Sequence, residues 1–418
     1  MTNFRIKASL FLNYFVFAIL LNSVGTVILQ VQGNFDVSKG SASVLEAFKD
    51  LSIAAASFFF ASYVVRIGYK RTMLVALALV TVMCALIPSV PSFLMTKLLF
   101  ATVGVSFALI KVTVFATIGL ITKTKKEHLS LMNFLESFFM VGVLTGSFLF
   151  SAFVDNENVK STEWFNVYYV LSGLSLLALL LLSTSKMNES AVREAEMSKP
   201  LSQNFMEMLQ LVIVPLVLVF IGSAFFYVLI EQSIMSWLPT FNKDVLHLST
   251  SLSIQLASIM AGSVAVGRFL AGVVLRKIDW LYVLVGCLVC AGGVVLLTVP
   301  LTKHMPVTAI NSLKDIPWVA YMFPLIGLFL APIYPAINSV VLSNLPAPKH
   351  GAMSGLIVVF SALGGSTGSI ITGNIFDAYG GQNAMYFSLI PISILIVLLI
   401  IFKRIQPKTD TISNGPTI

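Results

Sequence analysis

The sequence predicts an all-α membrane protein of twelve transmembrane helices arranged as two six-helix bundles. Three observations predict it. Hydrophobic residues make up 57% of the 418 and charged residues only 11%, with a mean hydropathy of +0.93, whereas a soluble chain has about a quarter of its residues charged. The apolar stretches run near or past the ~18–20 residues that cross a ~30 Å hydrocarbon core. One long polar break, Ser185–Glu207, divides these stretches six and six, a layout of repeated halves.

The spans follow in order. Span 1 (residues 8–32) comes after Arg5 and Lys7. It is too long for a signal peptide and no small-residue cleavage site follows, so it is read as retained. Span 2 (45–65) carries Glu46, Lys49 and Asp50 in its outer third, with Glu46 sharing a helix face with both others. Span 3 (72–91) follows the basic turn of Arg66, Lys70 and Arg71, and span 4 (95–121) holds Lys111 near its middle. Span 5 (130–153) has Glu136 in its inner third and Gly142 and Gly146 at the spacing that permits close helix contact. Span 6 (165–184) ends at the polar break. Span 7 (209–238) carries Glu231 in its outer half, and span 8 (250–274) carries Arg268 in its inner third. Span 9 (280–300) contains Cys287 and Cys290, read as plain thiols in an apolar helix. Span 10 (317–344) holds Pro324, Pro332 and Pro335, each removing a backbone hydrogen bond. Span 11 (351–375) is rich in glycine, and span 12 (383–402) completes the set. The expected division is 1–184 for the N-terminal bundle, 185–208 for a cytoplasmic linker, 209–404 for the C-terminal bundle and 405–418 for a cytoplasmic tail.

Basic residues set the expected orientation. With the N-terminus in the cytoplasm, inner segments carry 17 Lys and Arg and outer loops carry 5, with four more inside spans. That follows the positive-inside bias. It places both termini inside, and the expected location is a bacterial inner membrane. The net charge of +8 is scattered through short loops, with no basic stripe interleaved with aromatics, so a nucleic-acid partner is not expected.

Several chemistries have no residues to carry them. The chain lacks a phosphate-binding G-x-x-x-x-G-K-[ST] loop and a G-x-S-x-G nucleophile elbow. His128, His247, His304 and His350 lie in loops or at span ends, and no His, Cys or carboxylate cluster has metal-ligand spacing. Neither an enzyme, nor a metal site, nor a cofactor is expected. A gradient-driven carrier needs only a cavity, ionisable groups and helices that can bend.

Charges at membrane depth are costly and mark cavities or partners. Desolvation favours the neutral form of a carboxylate, so a buried acid can load and unload a proton near neutral pH. Lys111 and Glu231 weigh most: each is a binding or coupling residue, or the two form a structural ion pair. For Arg268 and Glu136 the blander role is anchoring a loop or a neighbouring helix. The span 2 group is read as either a local ion-pair cluster or part of the coupling machinery, with Asp50 the coupling acid.

These residues resemble the major facilitator superfamily, and within it the fucose–galactose–glucose:proton symporters. In span 1, Phe17-Ala18-Ile19-Leu20-Leu21-Asn22-Ser23 is similar to that family's F-A-x-x-L-N-D. Arg66-Ile67-Gly68-Tyr69-Lys70-Arg71 resembles its loop 2–3 signature. Phe226-Tyr227-Val228 followed by Glu231, Ser233, Ser236 and Leu238 resembles its span 7 pattern, and Gly267-Arg268-Phe269 its G-R-F. Three departures stand out. Ser23 occupies the place of the span 1 acid, Lys111 sits within about a turn of the missing span 4 acid or glutamine, and Val65 replaces the acid before the loop arginine.

The resemblance implies alternating access around a midplane site lined by spans 1, 4, 7 and 10. Asn22, Lys111, Tyr227 and Glu231 are expected to bind substrate, and Glu231 and Asp50 to couple transport to an ion. Aromatic faces for a sugar are available at Tyr14, Phe15, Phe226, Tyr227 and Trp237. The expected partners are a small-molecule substrate, a proton or sodium as coupling ion, and the lipid bilayer, with the protein a monomer. The leading substrate is a sugar. An organic anion or sugar acid, an efflux role, and a receptor built on a retired carrier fold are the alternatives.

Overall fold

The computed structural model describes residues 2–122, 125–185, 187, 212–304, 310, 312–343 and 350–406. The N-terminal half runs α1 (Thr2–Asn22), α2 (Val24–Phe35), α3 (Lys39–Ala42), α4 (Val44–Ile67), α5 (Tyr69–Leu86), α6 (Phe93–Ile121), α7 (Lys125–Ala152) and α8 (Val167–Ser183). The C-terminal half runs α9 (Pro215–Met235), α10 (Leu238–Asp244), α11 (Thr250–Val274), α12 (Trp280–Leu301), α13 (Ile326–Leu330), α14 (Ile333–Ser343), α15 (His350–Tyr379), α16 (Gly381–Phe387) and α17 (Leu389–Ile405). Among the described residues ten helical segments are long and apolar enough to cross a membrane, and α7 contributes a shorter apolar stretch, Ser137–Ala152. The remaining span is α4, which carries Glu46, Lys49 and Asp50 ahead of its apolar run.

Span 1 is interrupted at Ser23, and span 7 ends at Met235, within three residues of its expected end at 238. Sequence reading expects one helix over residues 8–32; the chain is helical there apart from one irregular residue, Ser23, between α1 and α2, whose N–H still bonds the Ile19 carbonyl at 3.0 Å. Side chains there capture the backbone carbonyls: Asn22 Nδ2 donates to the Ala18 carbonyl at 2.9 Å and Ser23 Oγ to the Leu20 carbonyl at 2.9 Å. Ser236 and Trp237 separate α9 from α10, just before Pro239. The two places meet across the halves. A Cβ at Gly25 would lie 2.8 Å from the Ser236 carbonyl oxygen, so only glycine permits the approach. Span 10 bends as its prolines predict: two 3-10 turns, Trp318–Tyr321 and Phe323–Leu325, precede α13 and α14.

Each half is a helical bundle, with α4 against α6 and α1 against α7 in the first, and α9 against α15 and α17 in the second. Gly142 lets α7 close on α1, since a Cβ there would lie 2.8 Å from the Phe15 carbonyl oxygen. Across the halves, α15 packs on α4 and α11 on α7. The polar contacts joining the halves gather at the end remote from the chain termini, called here the far end. Asp377 accepts the N–H groups of Lys39 (3.0 Å) and Gly40 (2.6 Å), and Lys39 pairs with Asp244 at 3.0 Å. Asn156 and Ser251 exchange two hydrogen bonds of 3.0 Å, and Gln255 Nε2 donates to Ser151 Oγ at 3.1 Å. The far end is closed.

Most of the expected linker, the tail from Pro407 and the Glu136 side chain lie outside the described residues. Cys84 is buried, and Cys84, Cys287 and Cys290 are all free thiols.

Candidate functional site

Beneath the closed end, the halves enclose a cavity of two lobes. The smaller, about 200 Å³, is lined by Asn22, Gly25, Lys49, Glu231, Gln232, Ser236 and Arg268, with Phe139 and Met140 from α7. The larger, about 620 Å³, lies between α4 and α6 on one side and α9, α14 and α15 on the other; Asp50, Phe107, Lys111, Gln232, Tyr334, Asn338 and Ser361 line it. Gln232 faces both lobes. Ser57, Lys111, Asn338 and Gly355 carry the larger lobe toward the terminus end.

Glu231 is fixed from its own helix. Tyr227, one turn earlier on α9, donates its hydroxyl to Oε1 at 2.9 Å. The Tyr227 ring stacks on Tyr334, centroids 5.5 Å apart and planes 27° apart, and the Tyr334 hydroxyl lies 3.2 Å from Ser361 Oγ. This chain of contacts ties α9, α14 and α15 together behind the carboxylate. Asn22 borders the smaller lobe beside Ser23. Lys111 faces the larger lobe, its ammonium 5.9 Å from the Phe107 ring centroid.

The span 2 charges are buried. Glu46, Lys49 and Asp50 are 0%, 5% and 7% exposed, a state that charged groups tolerate only when paired. Lys49 Nζ bridges both acids, hydrogen-bonding Glu46 and sitting 3.4 Å from Asp50 Oδ1. The local ion-pair cluster expected from sequence is present. It is also part of the cavity, since Lys49 borders the smaller lobe and Asp50 the larger.

Sequence reasoning placed the site between spans 1, 4, 7 and 10, and the cavity draws on spans 2, 5, 8 and 11 as well. Glu231 and Lys111, weighed as a possible pair, line different lobes. Arg268, expected to anchor near a surface, borders the same lobe as Glu231. Ser236, part of the span 7 pattern, borders the smaller lobe, and so does Gln232, which the sequence reading does not single out although it is an uncharged polar group beside an acid on an apolar helix. Trp237, offered as a sugar platform, is wholly buried: its indole N–H bonds the Ser369 carbonyl at 3.1 Å and its ring packs on Phe376. Phe107 and Tyr334 present aromatic side chains to the larger lobe instead.

The sequence profile of the major facilitator superfamily matches residues 10–369. The chain belongs to the major facilitator superfamily. It is a transporter of small solutes and a multi-pass membrane protein, not an enzyme. Its fold is similar to that of a D-xylose–proton symporter, at TM-score 0.74 and 13% identity over 98% of this chain and 99% of that one. It is also similar to the transporter FucP in an outward conformation, at TM-score 0.61 and 14% identity over 95% and 98%. In sequence, the chain is 24% identical over 292 residues to the protein TsgA homolog of Buchnera aphidicola subsp. Baizongia pistaciae, covering 70% of this chain and 68% of that one.

Proposed function

We propose that this chain carries a small polar solute, a sugar, together with a proton, by alternating access between two six-helix halves. The observation that carries the reading is the cavity between the halves. It is closed at one end by polar contacts and lined at depth by Glu231, Arg268, Lys49 and Asn22. Asn22, Lys111 and Glu231 bind the solute, Tyr227 acts through the Glu231 carboxylate that its hydroxyl holds, and Glu231 and Asp50 couple the solute's movement to the ion. Phe107 and Tyr334 supply apolar faces for a sugar ring. Similarity to a D-xylose–proton symporter favours the sugar and the proton over sodium.

In this reading residues 1–184 and 209–404 are the rocking units, joined by a cytoplasmic linker at 185–208, and the carrier works as a monomer. The termini and the 405–418 tail lie in the cytoplasm of an inner-membrane protein, so the closed far end faces outward and the cavity faces the cytoplasm. In proteoliposomes, Glu231→Gln should abolish accumulation driven by an imposed proton gradient while leaving substrate exchange measurable. Full gradient-driven accumulation by that variant removes Glu231 from coupling.

A second reading is favoured by Lys111, Lys49 and Arg268 bordering the cavity: the solute is an organic anion or sugar acid, with Lys111 holding its negative group. Lys111→Ala should then abolish uptake of labelled sugar acids. Loss of neutral-hexose uptake alone contradicts this reading.

A further inference from the structure

A further cavity lies outside the two lobes, within the C-terminal half and toward the terminus end. It is a groove of about 600 Å³ between α11 and α14. Ala271, Gly272 and Leu275 form one wall, and Pro335, Ala336 and Val340 the other. In each wall the residues recur three or four apart, so each wall is one helix face. Small and apolar side chains leave room between the helices and few groups to meet a hydroxylated solute; Ser339 is the one hydroxyl among the lining residues. The neighbouring surface of α11 is apolar and exposed at Phe269, Leu270 and Val273. In a chain that spans a membrane, such a surface is covered by hydrocarbon.

The mouth of the groove is basic. Arg276 and Lys277 sit in the turn between α11 and α12, in sequence between the lining residues Leu275 and Ile278, and both are exposed. Lys403 of α17 reaches the same place, with Nζ 2.8 Å from Asp279 Oδ2 and 5.3 Å from the Trp280 ring centroid. Arg404 follows it and is exposed. Asp279 is the one acid lining the groove, and Lys403 and the Leu281 N–H already engage it. Four cations therefore stand around one satisfied acid where α11 ends and α12 begins, the level at which a spanning helix meets headgroups. Trp280 lines the groove at this level, where amphipathic aromatic rings collect. Arg268, about two turns deeper, borders both the groove and the smaller lobe.

We propose that this groove binds one anionic phospholipid, its phosphate among Arg276, Lys277 and Lys403 and one acyl chain between α11 and α14. The charge at the mouth selects the anionic headgroup, and the apolar walls select a lipid over a free anion. Basic pockets between membrane helices hold anionic headgroups in this way. The lipid is a bound partner and not cargo, so the inference goes beyond the carrier reading and holds whichever solute is carried. Since Arg268 borders groove and lobe alike, a chain seated between the walls also braces the helix that brings this cation to the cavity. Each basic residue at a membrane surface adds about fivefold to affinity for anionic lipid, so removing Arg276 and Lys277 together should weaken binding about 25-fold. Added salt should weaken it as well.

The test needs no solute. The full chain, purified in detergent, is titrated with phosphatidylglycerol or with phosphatidylcholine of the same acyl chains, and bound lipids are counted by native mass spectrometry. The parent should bind one phosphatidylglycerol at least tenfold more tightly than any phosphatidylcholine. Arg276→Gln combined with Lys277→Gln should erase that preference. Gly272→Phe tests the apolar wall: a Cβ at Gly272 meets nothing within 4 Å, so the new ring enters open space without disturbing the fold. It should remove the tight phosphatidylglycerol and leave the melting temperature of the lipid-free protein unchanged. The proposal is overturned if the parent binds both lipids equally, if the double variant keeps the preference, or if Gly272→Phe keeps the tight site. It is also overturned if inorganic phosphate raises the parent's melting temperature as much as phosphatidylglycerol does, which would make the site one for free anions. Loss of solute uptake in Gly272→Phe with lipid binding intact would assign the groove to the solute instead.

Discussion

Lys49 is the cation on which the buried span 2 acids depend. Replacing it by methionine leaves Glu46 and Asp50 without that partner in a dry setting, and stripping one partner from a buried ion cluster costs about 3–5 kcal/mol. Lys49→Met should therefore lower the melting temperature in detergent well beyond Lys111→Met, since Lys111 is exposed to the larger lobe. Equal loss in the two variants contradicts this ranking. Tyr227→Phe removes the hydroxyl that holds Glu231; it should weaken solute binding about three- to tenfold with the fold intact, as titration of the purified protein can check. The deep charges were legible in the sequence because membrane depth makes each one conspicuous. Their partners were not. Whether Arg268 faces lipid, a loop or Glu231 depends on the rotation of α11 about its axis, which packing decides and spacing along the chain does not.

Single glycines separate contacts within a half from contacts between halves. Gly142 faces Phe15 inside the N-terminal bundle, whereas Gly25 faces Ser236 of the other half. Gly142→Ala should overpack α1 against α7 and cost stability by about 1–3 kcal/mol. Gly25→Ala should instead shift the population toward an open far end, read by the distance between spin labels at Glu157 and Lys314, exposed residues in far-end loops of opposite halves, with a smaller change in melting temperature. At the other end of the molecule Asp279 caps α12, accepting the Leu281 N–H at 3.0 Å and Lys403 Nζ at 2.8 Å. Lys403 chiefly, and the Leu281 N–H with it, hold this carboxyl below its ordinary range. The sign follows: the bond adds stability above the unfolded-state pKa of Asp279 and loses it as pH falls through the lower folded-state value. Exposure keeps the amount to about 0–1 kcal/mol, so Asp279→Asn should lower the melting temperature slightly at pH 7 and less in acid. Helix ends were legible to within a few residues for spans such as 8 and 9, where capping residues bound an apolar run. The end of span 7 was legible as well, since Pro239 follows it; the irregularity at Ser23 was not, because its neighbours are as apolar as the rest of the span.

The whole molecule is two halves sealed at one end over a charged cavity. The twelve-span fold could be read from composition because lipid demands apolar helices that satisfy their own backbones. The pairing of α4 with α15 and of α7 with α11 could not, since it arises from the meeting of distant segments. If the far-end seal is the outer gate, weakening it should move the entire carrier. Asp377→Asn removes the carboxylate charge that accepts the Lys39 and Gly40 N–H groups, and should increase the far-end-open population at every pH. The measurement that tests the central claim most directly is uptake of labelled neutral hexoses and sugar acids into proteoliposomes, with and without an imposed inward proton gradient. Solute accumulation that rises with the gradient, and falls to simple equilibration in Glu231→Gln, is the predicted result. Uptake indifferent to the gradient in the parent would contradict proton-coupled carriage through this cavity.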